Sequence, residues 1–486
     1  MGVRTGADYL ARLRDLRPTI MIDGETVTEN IVDHPAFAGV VRSYAALYDM
    51  QHAPEHRDTL TYTSPTSGER VGTSFLVPQN EGDLIKRREA ATIWARSSAG
   101  MLGRTGDYLN SALTALSQAG PWFDEVDPAF GRNVQEYYTY ARENDILTTH
   151  TLIPPQINRQ VAHSAQAGGQ VTLQVVKEDD NGITVRGARM LATIGPFADE
   201  ILVFPSTVLK GRAEDERYSF AFAIPNDTPG MRYLCRKSLY NGGGRFNEPL
   251  ASRFEEMDAV VIFDDVMVPW ERVFMLGNPE KSNGFYNDTG ATPLMTHQVG
   301  ARTTAKTEFY AGLLLEMADA IGIDQFSHIQ EDLAEVLIAA ELGRAALRAS
   351  EADGHLNQYG FFQPRWQTLN AARNWYPRIS QRWPEIVRKF GASGLMALPD
   401  ERDVYEGVAA QDVSTYLQSK SRDGVERVKL FRLAFDAAVS AFAGRQNLYE
   451  YYFFGDPIRM ASAYVDSVDT ASLRARVDEL LDAGTS

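Results

Sequence analysis

The hydrophobic period changes twice along this chain, and that restricts the folds open to it. Up to about residue 147 apolar residues recur at helical steps. Leu84, Ala91 and Trp94 share one stripe in "EGDLIKRREAATIWARS", and Leu109, Ala112, Leu113 and Leu116 share another in "YLNSALTALSQAG". Thr105 stands where the second helix needs an N-cap. From about 150 to 275 the step becomes two. "GQVTLQVVKEDDNGITVRGARML" alternates Val171, Leu173 and Val175, turns at Asp180-Asn181-Gly182, and resumes with Ile183, Val185 and Gly187, which predicts a hairpin. "DEILVFPST", "SFAFAIP" and "DAVVIFDDVMVPW" are further strand-like runs. Beyond about 285 the helical step returns. "SHIQEDLAEVLIAAELGRAALRA" opens on a capping box of Ser327 with Gln330 and carries Ile329, Leu333, Val336 and Ala340 on one face. "VERVKLFRLAFDAAVSAFAGRQ" spaces Val428, Phe431, Phe435, Ala438 and Phe442 at threes and fours. The order predicts an α+β chain: an N-terminal α-helical domain over 1–147, a middle β domain over 148–276 and a C-terminal helical bundle over 277–486.

Charge and cysteine content narrow the function. A formal net charge of −16 repels phosphate backbones and anionic lipid, so neither nucleic acid nor a membrane surface is an expected partner. The single cysteine, Cys235, excludes an intrachain disulfide and any Cys-rich zinc or iron–sulfur site. The opening residues lack the apolar core of a signal peptide, and no run approaches a membrane span, so a cytoplasmic protein is expected. No dinucleotide fingerprint, P-loop, nucleophile elbow or H-E-x-x-H occurs. Among the eight histidines only His52 and His56 stand close, with Pro54 between them, and no metal is expected. Chemistry must therefore come from a bound organic cofactor or from scattered side chains.

One junction is suggestive. In "GMLGRTGDYLNSAL", Arg104 and Tyr108 sit four apart where a glycine-marked turn opens into a helix. By themselves they permit two readings: a surface pair of Arg104 with Asp107 beside a core Tyr108, or half of a site that holds an acidic hydroxyl. Three other segments stand with it: "LTTHTLIPPQINR" (147–159), "EEMDAVVIFDDVMVPWERVF" (255–274) and "FFGDPIRM" (453–460). On these motifs the chain resembles, over nearly its whole length, the two-component, reduced-flavin-dependent phenol hydroxylases typified by the oxygenase component of 4-hydroxyphenylacetate 3-monooxygenase. The T-T-H-x-L-x-x-P-Q-x-N-R pattern is the specific part; the "DDVMVPWERV" strand is shared more widely.

The resemblance implies an acyl-CoA dehydrogenase-like fold with a β-barrel-like middle domain, assembled as a homotetramer or homodimer. It implies Arg104, Tyr108 and His150 around the phenolic oxygen of the substrate, and Ser206 and Thr207 at its carboxylate end. Flavin contacts are implied for His150, Thr151, Leu152, Gln156, Ile157, Asn158, Arg159 and Thr193, and for Phe454, Gly455, Asp456 and Pro457. Read without the resemblance, Thr193 is a solvent-facing strand hydroxyl and "FGDP" a helix-ending turn. The charged stretch "VLKGRAEDERYS" is either a lid or a solvated loop.

The implied reaction is ortho-hydroxylation of a para-substituted phenol to a catechol. It uses O2 and FAD supplied as FADH2 by a separate NAD(P)H:flavin reductase. The first substrate expected is 4-hydroxyphenylacetate, with a chlorophenol or a carrier-tethered tyrosyl group as alternatives. An acyl-CoA dehydrogenase, a radical lyase and a non-enzymatic scaffold are more remote readings. The residue set suits the chemistry. A phenol has a pKa of about 10, a guanidinium favours its phenolate, Tyr108 can donate to the developing oxyanion, and an ordinary histidine titrating near 6.5 can take the proton.

Overall fold

The computed structural model describes residues 2–158, 160–161, 163–205 and 209–482. Helices dominate its N-terminal part. The first, Gly6–Asp15, opens on a capping box between Thr5 and Asp8. Glu81–Ser97 starts at Asn80, whose side chain accepts from the Asp83 amide, and buries Leu84, Ala91 and Trp94 as predicted.

Gly106–Gln118 departs from the striped expectation, since every residue from Gly106 to Ser117 is buried. It is enclosed by Pro128–Glu143, the long helix Ala291–Ile321, the short turn Thr73–Phe75 and the strand Thr148–Thr151, so it must carry Asp107, Asn110, Ser111 and Thr114 inside the protein. Thr105 does precede this helix, but its hydroxyl donates to Asp107 Oδ1 at 2.6 Å and makes no bond to the helix backbone.

Among the described residues twelve strands lie between 20 and 276: β1 Ile20–Ile22, β2 Glu25–Val27, β3 Thr61–Thr63, β4 Arg70–Gly72, β5 Thr148–Thr151, β6 Gln174–Asp179, β7 Gly182–Thr193, β8 Glu200–Val203, β9 Phe220–Pro225, β10 Met231–Cys235, β11 Asp258–Pro269 and β12 Val273–Leu276. Ten of them form two sheets, ordered β2-β1-β10-β11-β7-β6 and β12-β9-β8-β5. The predicted hairpin is β6–β7, with Asp179 paired to Gly182. The first sheet is completed from an unexpected source: β1 and β2 come from the mainly helical N-terminal part, and β1 runs parallel to β10.

Two details of these sheets matter for the site. β7 slips register against β11 where Leu191 takes φ +64°, which leaves Arg189 opposite Val261 but Thr193 opposite Asp258. In the second sheet β5 pairs in parallel with β8, His150 beside Leu202.

The C-terminal part is a helical bundle around Ala291–Ile321. Two capping expectations are corrected here. Phe326, not Ser327, is the N-cap of Ser327–Ala352, and the Gln330 amide turns back to the Asp324 carbonyl at 2.5 Å. The run from Val428 to Phe442 is not one helix, because Gly424–Ala438 ends at Val439. Ser440 then caps Ala441–Tyr452 by accepting from the Ala443 amide at 3.1 Å. One continuous apolar core links all three parts. Among the described residues no helix is long and apolar enough to cross a membrane.

Candidate active site

The turn that carries Arg104 is held from below by a carboxylate. Glu256 accepts from the Gly103 amide at 2.9 and 3.0 Å and from the Arg104 amide at 2.9 Å, and from the Tyr44 hydroxyl at 2.9 Å. Gly103 is required here by space, since a Cβ would stand 2.4 Å from the Tyr449 ring.

So anchored, Arg104 points inward and is only 9% exposed. Its guanidinium carbon lies 4.5 Å from the Phe453 ring centre, 4.6 Å from Tyr108 and 5.3 Å from Tyr449. The surface pair with Asp107 does not form. Asp107 turns the other way, to the Thr105 hydroxyl and to Gln298 Nε2 at 3.0 Å, and burial pushes its carboxyl pKa up. Among the described residues Arg104 donates from Nη1 to the Gly103 carbonyl alone, at 3.3 Å, and its buried Nε has no partner. A cation stripped of water and given only aromatic faces is costly to keep unless an anion completes it.

His150 enters from the other side, on β5. It is 3% exposed, its Nδ1 is buried without a partner, and its ring stands edge-on to Tyr108 with centres 5.8 Å apart. Burial, and then the charge of Arg104, hold its pKa well below the usual histidine value. This corrects the sequence-based expectation of a histidine titrating near neutrality: the pocket favours the unprotonated ring. Tyr108 is also displaced. Burial raises its pKa, against the opposing charges of Arg104, Arg302 and Arg373, so its hydroxyl keeps its proton. Two segments far apart in the chain thus bring a guanidinium, a neutral imidazole and a phenolic donor together.

The expected flavin contacts divide. Thr193 is buried rather than solvent-facing; its hydroxyl donates to Asp258 Oδ1 at 2.7 Å, and its carbonyl accepts from Thr149 at 2.5 Å. Asp258 is clamped by Arg445 at 2.7 and 2.9 Å and by Arg236 at 3.0 Å. The Thr151 hydroxyl donates to the Met190 carbonyl at 3.1 Å. Leu152 is partly buried, and Gln156, Ile157 and Asn158 are exposed. Arg159, Ser206 and Thr207 lie outside the described residues. "FGDP" does end one helix and begin another: Gly455 takes φ +99°, and Asp456 caps Pro457–Asp466 by accepting from the Ile458 amide at 2.8 Å. Phe454 stacks edge-on to Phe453 at 5.0 Å, and Phe453 stands 5.4 Å from Tyr108, which ties this turn to the pocket. The "VLKGRAEDERYS" stretch is folded where described: Asp215 accepts from the Lys210 and Arg212 amides, and Leu209 exchanges two hydrogen bonds with Asn283.

With this geometry in hand, comparison with known proteins decides the family. Residues 5–275 match the family described as 4-hydroxyphenylacetate 3-hydroxylase N terminal, and residues 282–482 its C-terminal counterpart. The chain belongs to the 4-hydroxyphenylacetate 3-hydroxylase family. Over its full length it is 46% identical to the 4-hydroxyphenylacetate 3-monooxygenase oxygenase component of Geobacillus sp. (strain PA-9), covering 98% of that protein. It is 45% identical to the Thermus thermophilus oxygenase component, over 98% of this chain and 97% of the relative. A crystal structure of an oxygenase component, HpaB, complexed with FAD and 4-hydroxyphenylacetate superimposes with a TM-score of 0.94 at 44% identity, covering 99% of each chain. A 4-hydroxybutyryl-CoA dehydratase from N. maritimus, 20% identical with a TM-score of 0.87 over 100% of this chain and 95% of that one, shares the fold.

For this family member, sequence reasoning passed over several residues of the site. Tyr449 and Phe453 form the aromatic cage of Arg104, and their i, i+4 spacing in "LYEYYFFG" was the available signal. Glu256 gave none, because the acids of "EEMD" before a strand read as a solvated run. Arg373 lies over Phe454 at 5.4 Å and the Tyr286 hydroxyl is buried without a partner; neither sits in a motif.

Proposed function

We propose that this chain is the oxygenase component of a two-component monooxygenase that ortho-hydroxylates a para-substituted phenol, 4-hydroxyphenylacetate or a near analogue, to a catechol. The observation that carries this reading is Arg104, a buried guanidinium with no carboxylate, facing Tyr108 and an unprotonated His150. The three suit one aromatic hydroxyl. Arg104 and the start of the helix Gly106–Gln118 favour the phenolate, Tyr108 donates a hydrogen bond to its oxygen, and His150 accepts the proton at a free ring nitrogen. Each unit of phenol acidification is worth about 1.4 kcal/mol, so two units raise the reactive form about a hundredfold. The rings of Tyr108, Tyr449, Phe453 and Phe454 keep water from this space.

The residues present fit FAD. The buried orphan nitrogen of His150 adjoins Thr151 and Leu152, and the chain then runs out to the exposed Gln156, Ile157 and Asn158. We assign to the flavin these residues with Thr193 and the Phe454–Pro457 turn, together with Arg159; Ser206 and Thr207 are assigned to the substrate. Reduced FAD, when bound, supplies the activated oxygen that is transferred. The same reading includes a separate NAD(P)H:flavin reductase, a homodimeric or homotetrameric assembly, a cytoplasmic location, and domains over 1–147, 148–276 and 277–486. Anaerobic titration with FADH2, followed by oxygen and a panel of phenols, tests it: catechol from 4-hydroxyphenylacetate is expected, and peroxide without any catechol across the panel refutes it.

A further inference from the structure

Arg189 is a second buried guanidinium without a carboxylate. It is 3% exposed, on the inner face of β7 opposite Val261, where the slip in that strand puts it. Nη1 donates to the Leu152 carbonyl, two residues beyond His150 on the same segment, and the guanidinium carbon is 5.2 Å from the Phe220 ring centre. Nε is buried with no partner, and among the described residues no acid pairs with it. Burial draws its pKa down to about 10, against the opposing effect of Tyr286, so it remains a cation at neutral pH. Tyr286 is within electrostatic reach of it. Among the described residues its buried hydroxyl oxygen has no partner, and its ring packs edge-on to Phe285 at 5.1 Å and to Phe204 at 6.3 Å. That hydroxyl is also within electrostatic reach of Tyr108 and Arg104.

Keeping such a charge out of water is expensive unless something of opposite sign meets it. The hydrogen bond to Leu152 uses one nitrogen and neutralises nothing. A phenol carrying an acid at the para position has an acidic hydroxyl at one end and a full anion at the other, and it asks for two positive ends. We propose that Arg189 is the counter-ion for a carboxylate on the substrate, and so selects phenolic acids over neutral phenols of the same shape. This rests on the hydroxylase reading above and adds a specificity-determining residue to it.

The test compares 4-hydroxyphenylacetate with its neutral isostere 4-hydroxyphenylacetamide, by binding to the FADH2-loaded protein without oxygen and by catechol formation with it. Wild type should bind the acid about 30-fold more tightly than the amide, about 2 kcal/mol at 1.4 kcal/mol per tenfold. Arg189→Met should erase most of that preference by weakening the acid while moving the amide less than about threefold, with turnover of bound substrate little changed, and Arg189→Lys should restore part of it. Equal binding of acid and amide by wild type overturns the assignment, and this holds even if Arg189→Met fails to fold. Parallel weakening of both compounds in Arg189→Met also overturns it, since that is what a merely structural arginine would give. Catechol from neither compound would sink the hydroxylase reading, whereas catechol from both with equal affinity sinks only the role of Arg189.

Discussion

Phe453 has an arginine on either side, and the two are treated oppositely. Arg302, its guanidinium carbon 5.0 Å from the ring centre, is gripped by both oxygens of Glu450 at 2.5 and 2.8 Å, and Lys306 reaches the same carboxylate at 2.8 Å. Arg104, at 4.5 Å, meets no carboxylate. The charges around Glu450 and Asp258 are answered by charges of opposite sign within the protein, although Arg302 Nε itself has no partner among the described residues. Those around Arg104 and Arg189 are left open. An open charge of this kind points to a ligand, and a closed one to the fold.

The comparison can be broken at either side. The largest effect is expected from Glu450→Ala, which leaves Arg302 and Lys306 uncompensated and should cost about 3–5 kcal/mol in denaturant unfolding. A loss under about 1 kcal/mol would mean that the closed network does not hold the bundle together. Next comes Arg104→Ala. Catechol formation should fall about a hundredfold, or about 2.7 kcal/mol in the barrier, with oxygen diverted to peroxide while FADH2 still binds. A variant that keeps full coupling, or that unfolds as Glu450→Ala does, would erase the distinction between the two arginines.

pH sharpens the contrast further. If His150 is the base proposed above, its pKa, held well below 6.5 by burial and by Arg104, means that activity should be lost only as pH falls through that lowered value. An acid limb in kcat/KM at or above 6.5 that vanishes in His150→Asn would contradict the pocket described here. Glu450, held down to about 2 against an ordinary 4.5 by Arg302 and Lys306 despite burial, contributes stability that is full above 4.5 and drains away as pH drops toward 2. Glu450→Gln should flatten that part of the stability curve. The smallest effect belongs to the exposed pair Arg186–Asp265: Arg186→Ala should leave the unfolding midpoint almost unmoved and coupling untouched.

Much of the architecture was legible in residue spacing. The β6–β7 hairpin, β8, β9 and β11 fall where alternation predicted them, and the bundle helices where threes and fours did. The failures are equally specific. Gly106–Gln118 has a striped pattern but is buried all round, because two helices, the Thr73–Phe75 turn and β5 all pack on it. β1 joined the sheet from a segment too short to announce itself. In the site, Arg104, Tyr108 and His150 were found through their motifs, whereas Glu256, Tyr449, Arg189 and Tyr286 were not, because each matters through a neighbour more than thirty residues away.

The sequence by itself determined the α, β, α order and the family, since a helix or strand face repeats at a step set by backbone geometry and a motif is local by nature. Only the tertiary structure decided which charges are answered. Whether Arg104 meets Asp107, whether His150 is charged, and which face of β7 carries Arg189 depend on distances and desolvation set by chain segments far apart in sequence. Electrostatic energy is fixed by those distances in space, and position along the chain does not contain them.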